Sequence, residues 1–326
     1  MTTHQTRRLH MISALLALPP LACNAGAESK EQSPPPTLEF KLAKDSINGN
    51  TVELVNGIRA IPSSWPTLMF ATFKQNIEGN TLTFRCTATL IGPNVVLTAA
   101  HCVDPQKDDA PSLKASVKID DISLPMYCDM HTEYKKKALI GASPRSSDDF
   151  ALCILDDKGN PPETLKKMTF ETVDTKRVLA QRDPVLMTGY GCRELIVKNG
   201  RPSAGHADGL LRIADAVIDK PAGSEKYRPS YVTIRSSPST EPALCPGDSG
   251  GPLFSGTTSK EQGRHRSVRG VNSSIAVDSG YFVSRIAATG TDSFKTWANQ
   301  WLNEKAARQP KACGLNISAG DPRCTE

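Results

Sequence analysis

Two short stretches contain the residues whose types and spacing point most directly to chemistry. Residues 243–252 read Ala-Leu-Cys-Pro-Gly-Asp-Ser-Gly-Gly-Pro, so three glycines surround a single hydroxyl at Ser249. Glycine lets a backbone approach a ligand closely, and neighbouring N–H groups can then receive the charge that develops when a serine attacks a carbonyl. Residues 95–102 read Val-Val-Leu-Thr-Ala-Ala-His-Cys, which predicts a buried strand that leads into His101.

Together these two stretches resemble the trypsin/chymotrypsin family of serine proteases. Residues 147–152, Ser-Asp-Asp-Phe-Ala-Leu, resemble the family's Asp-Ile-Ala-Leu motif, and Asp149 is the aspartate directly before the apolar strand. The chain order His, Asp, Ser is also that of the family. The resemblance implies that Ser249 is a nucleophile, that His101 takes and returns its proton, and that Asp149 holds the imidazole. It also implies an oxyanion hole formed by the backbone N–H groups of Gly247 and Ser249.

The resemblance covers about residues 54–304 and implies an all-β fold. The expected architecture is two six-stranded antiparallel barrels of the chymotrypsin type, with the site in the crevice between them. His101 and Asp149 would come from the first barrel and Ser249 from the second. Apolar residues recur at helical spacing within residues 291–306, which predicts a C-terminal α-helix; they are Phe294, Trp297, Trp301 and Leu302.

The same resemblance gives a hypothesis about the specificity pocket. In the family the floor of the pocket lies six residues before the serine, here Ala243, with Leu244 beside it. Ala243 is uncharged, so a preference for Lys or Arg is not expected. Wall positions fall near residues 273–275, where Ser273 and Ile275 are the candidates, and near residues 280–281. These residues predict cleavage after small or medium uncharged residues, with a larger apolar residue as the second choice.

The first 27 residues are typical of a secretion signal. A positively charged start precedes a short apolar core, Met11–Leu18, and small residues at 25–27 suit a cleavage site. The apolar core is too short to span a bilayer, so no stable membrane insertion is predicted. We therefore expect a secreted, extracellular or periplasmic protein. Lipoprotein anchoring through Cys23 is the alternative, which Pro20 makes less favourable.

Residues 28–53 are polar and include three consecutive prolines, so they are predicted to be a flexible propeptide or linker. The following Leu54-Val55-Asn56-Gly57 resembles the mature amino terminus of the family, whose new ammonium group pairs with the aspartate before the serine. The resemblance thus implies a zymogen in which Leu54 pairs with Asp248 after cleavage. Many relatives are cleaved after Lys or Arg, so Glu53 requires an activating protease that accepts Glu. An ordinary first strand without cleavage is the alternative.

Eight cysteines follow the signal, and an even number in a secreted protein predicts disulfides. The resemblance implies a bond between Cys86 and Cys102 that holds the histidine loop. The family layout suggests three further pairs, which are Cys128–Cys153, Cys192–Cys245 and, in a tail at residues 305–326, Cys313–Cys324. The sequence contains no C-x-x-C pair, so a zinc site is not expected.

Composition narrows the remaining alternatives. The net charge of +5 is mild and the basic residues are scattered, which argues against a nucleic-acid partner. The aspartates at 104, 108 and 109 lack the spacing of a calcium loop, so no metal or cofactor is predicted. The expected partners are a protein or peptide substrate and a possible activating protease. A catalytically silent binding protein with the same fold is the alternative function. The short signal and unusual cysteine set favour a bacterial source.

Overall fold

The computed structural model describes residues 37–42, 55–77, 80–104, 114–139, 147–205, 209–262 and 265–325. Strands dominate, as expected for an all-β protein, and the apolar positions within them are buried. In the fifth strand, Val95–Thr98, all four residues are buried, which is why this stretch reads as a continuous apolar run.

The first half of the fold is a closed barrel of seven strands. In chain order they are β1 (Thr37–Leu42), β3 (Leu68–Ile77), β4 (Asn80–Leu90), β5 (Val95–Thr98), β6 (Lys114–Ile119), β7 (Ile122–Met130) and β8 (Ala151–Leu155). Around the barrel they follow the order β1-β3-β4-β5-β8-β7-β6. Strand β1 closes it, because β1 is antiparallel to β3 on one side and parallel to β6 on the other.

Strand β1 is a difference from the sequence-based expectation. Residues 28–53 were expected to be flexible, but residues 37–42 within them form a strand of the barrel. Leu38 and Phe40 are 1% and 0% exposed, whereas Thr37 and Lys41 are exposed. This alternation of buried and exposed residues is the period of a strand. The first barrel therefore has seven strands rather than six.

The second half is a sheet of eight strands. They are β2 (Ile58–Arg59), β9 (Thr172–Val173), β10 (Pro184–Gly189), β13 (Arg212–Val217), β14 (Tyr231–Ser236), β15 (Pro252–Ser255), β16 (Ser267–Asp278) and β17 (Tyr281–Ala288). The main path runs β14-β17-β16-β15-β10-β13-β2, and β9 pairs with β16. An isolated bridge between Lys220 and Thr233 joins the segment after β13 to β14. The second half therefore has eight strands, whereas a six-stranded barrel was expected. A separate hairpin consists of β11 (Leu195–Lys198) and β12 (Arg201–Ala204).

Four short α-helices accompany the strands in the described residues, and the last is the predicted C-terminal helix. They are α1 (Ala100–Val103), α2 (Thr132–Leu139), α3 (Glu163–Lys167) and α4 (Asp292–Glu304). The Thr291 hydroxyl caps α4 by accepting a hydrogen bond from the Phe294 N–H. Its buried face includes Phe294, Trp297 and Trp301. In the part of the chain that is described, none of the helices combines the length and apolar character needed to cross a membrane.

The segment after α4 is docked on the first barrel. Cys313 and Cys324 form a disulfide, and the Cys313 N–H donates to the Ile91 carbonyl at 2.7 Å. The approach is so close that a Cβ on Gly92 would lie 1.7 Å from the Lys311 carbonyl oxygen. Glycine at position 92 therefore permits this contact.

A buried ion pair joins Glu171, just before β9, to Arg266, just before β16. Arg266 donates to both carboxylate oxygens of Glu171, at 2.9 and 2.7 Å, and the two side chains are 5% and 0% exposed. The Thr67 hydroxyl donates to the same carboxylate at 2.6 Å, and the guanidinium lies 4.1 Å from the centre of the Trp65 ring. Removing one partner of such a pair leaves a buried charge without compensation.

We expect Glu171→Gln to lower the free energy of unfolding by about 3–5 kcal/mol, because Arg266 then stays buried without its carboxylate. Glu163→Gln is the matched control, because Glu163 pairs with Lys166 at an exposed site where ion pairs contribute little. Urea unfolding of both variants with intact disulfides measures the difference. Equal losses in the two variants would contradict a stabilising role for the buried pair.

Candidate active site

The imidazole of His101 and the carboxylate of Asp149 are in direct contact. His101 lies in the first turn of α1, directly after β5, and Asp149 lies just before β8. The Nδ1 atom is 2.6 Å from Oδ2 of Asp149, and the His101 backbone N–H donates to Oδ1 at 2.9 Å. The carboxylate is fully buried, whereas the His101 side chain is 24% exposed. An Nδ1–H directed at a carboxylate leaves the lone pair on Nε2, the nitrogen that a base would use.

A hydroxyl from the other half of the fold also forms a hydrogen bond with the Asp149 carboxylate. The Ser273 hydroxyl, on β16, donates to Oδ2 at 2.5 Å, and the Tyr231 hydroxyl lies 2.8 Å from Ser273 Oγ. Burial alone would raise the pKa of Asp149, but the facing His101 and the hydrogen bonds from His101 and Ser273 hold that pKa below its usual range. The carboxylate is therefore ionised at neutral pH. The Ser273 side chain contacts this carboxylate, and its place in a pocket wall stays a prediction.

Ser249 lies in the loop between β14 and β15, close to the histidine. Its carbonyl accepts a hydrogen bond from the Thr87 N–H at 2.7 Å. The Cys102 sulfur, in the disulfide with Cys86, is 3.6 Å from the Ser249 carbonyl oxygen and 3.9 Å from His101 Nε2. The same sulfur thus contacts both residues, so the Ser249 backbone lies close to the Nε2 side of the His101 imidazole.

The peptide planes around Ser249 have defined orientations. The Pro246 carbonyl accepts from the Cys192 N–H at 3.1 Å, and the Asp248 carbonyl accepts from the Gly251 N–H at 2.9 Å. In a trans peptide the N–H points away from its carbonyl, so the N–H groups of Gly247 and Ser249 point away from these partners. Gly247 has a φ of +110°, and a Cβ there would lie 2.9 Å from the Cα of Gly191. Only glycine suits this position.

The carboxylate of Asp248 fills a space between two glycines. A Cβ on Gly189 or Gly191 would lie 2.2 or 2.5 Å from its Oδ1 atom, so both positions need glycine. The oxygens accept from the N–H groups of Gly191 and Cys245, each at 2.7 Å. Burial raises the pKa of Asp248 to about 7, although both hydrogen bonds and the charge of Arg212 act to lower it.

Residues near the predicted amino terminus lie beside this loop. Val55 is buried and forms a bridge with Ala243, and the Asn56 side chain donates to the Glu241 carbonyl. A small apolar cluster surrounds the bridge; it contains Val55, Cys192, Ala243, Cys245 and Phe282. Leu54 and Glu53 lie outside the described residues, so the pairing of Leu54 with Asp248 stays a prediction.

The predicted pocket residues form one neighbourhood together with a residue that the sequence did not indicate. Ala243 and Leu244 are buried, and the Leu244 N–H donates to the hydroxyl of Ser284 at 3.0 Å. Ser284 pairs with Ile275 between β17 and β16. Tyr281, at the second predicted wall position, is 43% exposed and packs against Arg235. The predicted wall position near residues 280–281 stays a prediction.

The four disulfides are those expected from the sequence. They are Cys86–Cys102, Cys128–Cys153, Cys192–Cys245 and Cys313–Cys324. Within the described ranges, one cluster of metal-ligating side chains occurs, formed by Cys86, His101 and Cys102. Its two sulfurs are joined to each other, so they are not available as thiolate ligands.

Sequence reasoning missed Thr87, Tyr231 and Ser284. The Thr87 hydroxyl donates to the Gly247 carbonyl at 2.9 Å and accepts from the Tyr190 N–H at 3.2 Å. Each of these residues acts through a contact between segments distant in sequence. Local motifs contain no signal for such contacts.

This chain is similar to known proteins in both sequence and fold. The sequence model of the trypsin family, described as "Trypsin", matches residues 54–298. Human granzyme M is 28% identical over 209 residues, which cover 63% of this chain and 74% of granzyme M. Bovine chymotrypsin-C is 26% identical over 254 residues, which cover 77% of this chain and 90% of chymotrypsin-C. The crystal structure of a thermostable serine protease, AL20, from an extremophilic microorganism is similar in fold, with a TM-score of 0.50 at 16% identity. That similarity covers 76% of this chain and 100% of AL20.

The chain therefore belongs to the trypsin family of serine endopeptidases.

The raised pKa of Asp248 predicts a pH-dependent contribution to stability. The folded-state pKa, about 7, lies above the ordinary 3.8, so the folded chain binds this proton more tightly than the unfolded chain. The contribution is fully present below about pH 4 and is lost as the pH rises through 7. In an uncut Ser249→Ala background, the stability of the protein with Asp248 should fall between pH 4 and 8 relative to that of the D248N variant, which has no titrating group at this position. A constant difference in urea unfolding across this range would contradict the raised pKa.

Proposed function

We propose that this endopeptidase cleaves peptide bonds with Ser249 as nucleophile, His101 as general base and acid, and Asp149 as the group that orients and stabilises the imidazole. The contact of 2.6 Å between His101 Nδ1 and the buried Asp149 Oδ2 carries the proposal. It gives Nε2 the lone pair that a general base needs and a negative charge that stabilises the imidazolium.

The proposed reaction has two stages. The Ser249 oxygen attacks the scissile carbonyl while its proton moves to His101 Nε2, and the oxyanion is held by the N–H groups of Gly247 and Ser249. The imidazolium then gives that proton to the leaving amine, and an acyl-enzyme remains. Water repeats the sequence, with His101 as base again, and releases the carboxylic acid and the free serine. The peptide orientations set by the Pro246 and Asp248 carbonyls support the assignment of the oxyanion hole.

The environment of Asp248 supports maturation by proteolysis. In the uncut chain a buried carboxylate with a pKa of about 7 lacks a full countercharge. Hydrolysis of the bond between Glu53 and Leu54 would create an ammonium on Leu54, one residue from Val55, which is already bridged to Ala243. Pairing of this ammonium with Asp248 would hold the carboxylate ionised and fix the loop that contains Gly247.

The pocket residues support a preference for small or medium uncharged residues before the cleaved bond. Ala243 and Leu244 contribute no charge, and Ser284 contributes a hydroxyl that accepts from the Leu244 N–H. Ile275, which pairs with Ser284 on the neighbouring strand, has a large side chain that would narrow the pocket. A long cationic side chain would find no carboxylate among these four residues. A short uncharged side chain fits them better.

The proposal places the protein in an oxidising, extracellular or periplasmic setting. The four disulfides are stable in such compartments, and the first 27 residues have the features of a secretion signal. Anchoring through Cys23 is the less favoured alternative. The partners are then a protein or peptide substrate and an activating protease that accepts Glu53.

Replacing the nucleophile tests the catalytic assignment. We expect Ser249→Ala to lower kcat by about 10⁵–10⁶, because the variant lacks the nucleophilic hydroxyl and cannot form an acyl-enzyme. The temperature of thermal unfolding should stay unchanged. Ser239→Ala, at an exposed serine, should retain full activity.

A fluorophosphonate probe applied before and after cleavage at Glu53 distinguishes a zymogen, an enzyme active without cleavage and a catalytically silent binding protein. Labelling after cutting supports a zymogen, immediate labelling an enzyme active without cutting, and no labelling a silent binding protein.

Profiling with peptides that vary in the residue before the cleaved bond tests the pocket. We expect the highest kcat/KM for Ala, Val or Thr at that position. Ile275→Ala should shift the preference towards larger apolar residues by about tenfold, because it removes the side chain that narrows the pocket. Ile196→Ala, in the exposed β11–β12 hairpin, should leave the profile unchanged. A clear preference of the unmodified enzyme for Arg or Lys would overturn the pocket assignment.

A further inference from the structure

Strand β1 lies before the proposed cleavage site, yet it is a full member of the first barrel. It pairs with β3 from Thr37 opposite Lys74 to Leu42 opposite Met69. On its other side it pairs with β6 in parallel, from Thr37 opposite Lys114 to Lys41 opposite Lys118. A segment that maturation would separate from the protease domain is thus hydrogen-bonded to that domain along both edges.

The barrel needs this strand to close. Strands β3 and β6 are both neighbours of β1 and are not neighbours of each other. Neighbouring strands lie about 4.8 Å apart, so loss of β1 would leave a gap of about 10 Å between two unpaired edges. Leu38 and Phe40 fill the interior at this point and are 1% and 0% exposed. Exposed edges and an opened core are both unfavourable, and the strand fits between them.

The two sides of the proposed cut are anchored at different places. Before it, residues 37–42 belong to the first barrel, and after it, Val55 is bridged to Ala243 near the Asp248 loop. Hydrolysis of the Glu53–Leu54 bond adds one water and breaks no other bond, so neither anchor is altered by the reaction. No cysteine occurs between residues 28 and 53, so a disulfide would not retain the released segment.

We propose that the gap between β3 and β6 is a strand-binding surface whose occupant is this chain's own 37–42 segment, which stays bound after maturation. The mature enzyme then consists of two chains, a short peptide ending at Glu53 and the protease domain beginning at Leu54, held together without a covalent link. This inference rests on the proposed cleavage at Glu53. The segment is a permanent part of the barrel and is not discarded like a conventional propeptide.

Controlled cleavage of the secreted protein tests the proposal. Substitution of Gly49→Asp, Asn50→Asp, Thr51→Asp, Val52→Asp and Glu53→Lys creates an enterokinase site, and Ser249→Ala prevents self-digestion. After cutting, native mass spectrometry should give the mass of the uncut chain plus one water. Denaturation without reductant should separate a peptide that ends at residue 53. Loss of this peptide during native gel filtration, with the remaining domain still folded, would overturn the proposal.

Substitutions within β1 connect retention to the barrel contacts. Phe40→Asp places a carboxylate in the barrel interior. We expect the cut peptide that contains it to dissociate from the protease domain. Thr37→Asp places the same group on an exposed position of the same strand and should retain the peptide. Should Phe40→Asp prevent folding, Phe40→Ala replaces it, with at least tenfold faster peptide release expected. Equal release from the Phe40 and Thr37 variants would contradict the proposal.

A parallel sample that retains Ser249 separates this inference from the proposed function. It is cut in the same way and treated with the fluorophosphonate probe. Labelling together with a lost peptide would refute retention alone, whereas a retained peptide without labelling would refute the catalytic proposal alone. Labelling of a two-chain complex is the expected result.

Discussion

A carboxylate without solvent exposure joins the two halves of this protein. Asp149 precedes a strand of the first barrel, yet its oxygens are occupied by His101 from the same barrel and by Ser273 from the second sheet. Burying this charge is unfavourable unless several donors surround it. The three donors make the ionised state favourable, and they require that α1, β8 and β16 meet at one point. The relative positions of these elements, and with them the orientation of the imidazole, follow from satisfying one buried group.

A second buried carboxylate, Asp248, has its pKa shifted in the opposite direction from that of Asp149. It accepts two backbone hydrogen bonds, but no lysine or arginine side chain donates to it among the contacts described, and burial raises its pKa. The two carboxylates differ in the charge that faces them. The first faces the imidazole of His101. The second is enclosed by Gly189 and Gly191, at each of which a Cβ would collide with the carboxylate.

The sequence was sufficient for the parts of the site that local motifs encode. The turn around Ser249, the strand before His101 and the apolar run after Asp149 each depend on a few neighbouring residues, so their local structure could be predicted. Helix α4 and the four disulfides followed from periodicity and from the family layout. Strand β1 was missed because its Leu-Glu-Phe-Lys alternation is short and follows three prolines, and because its partners are supplied by distant segments. Ser284 and Thr87 were missed for the same reason, since their hydrogen bonds join residues far apart in the chain.

The position of β1 also has a kinetic consequence. The β3–β4 hairpin joins segments that are adjacent in the chain, whereas the seam between β1 and β6 joins Thr37 to Lys114. Ordering a long intervening segment costs entropy before any contact compensates for it, so distant pairings form slowly. We therefore expect the seam to be among the last contacts to assemble during folding. Until then the nascent protein presents two open sheet edges, and such edges favour aggregation.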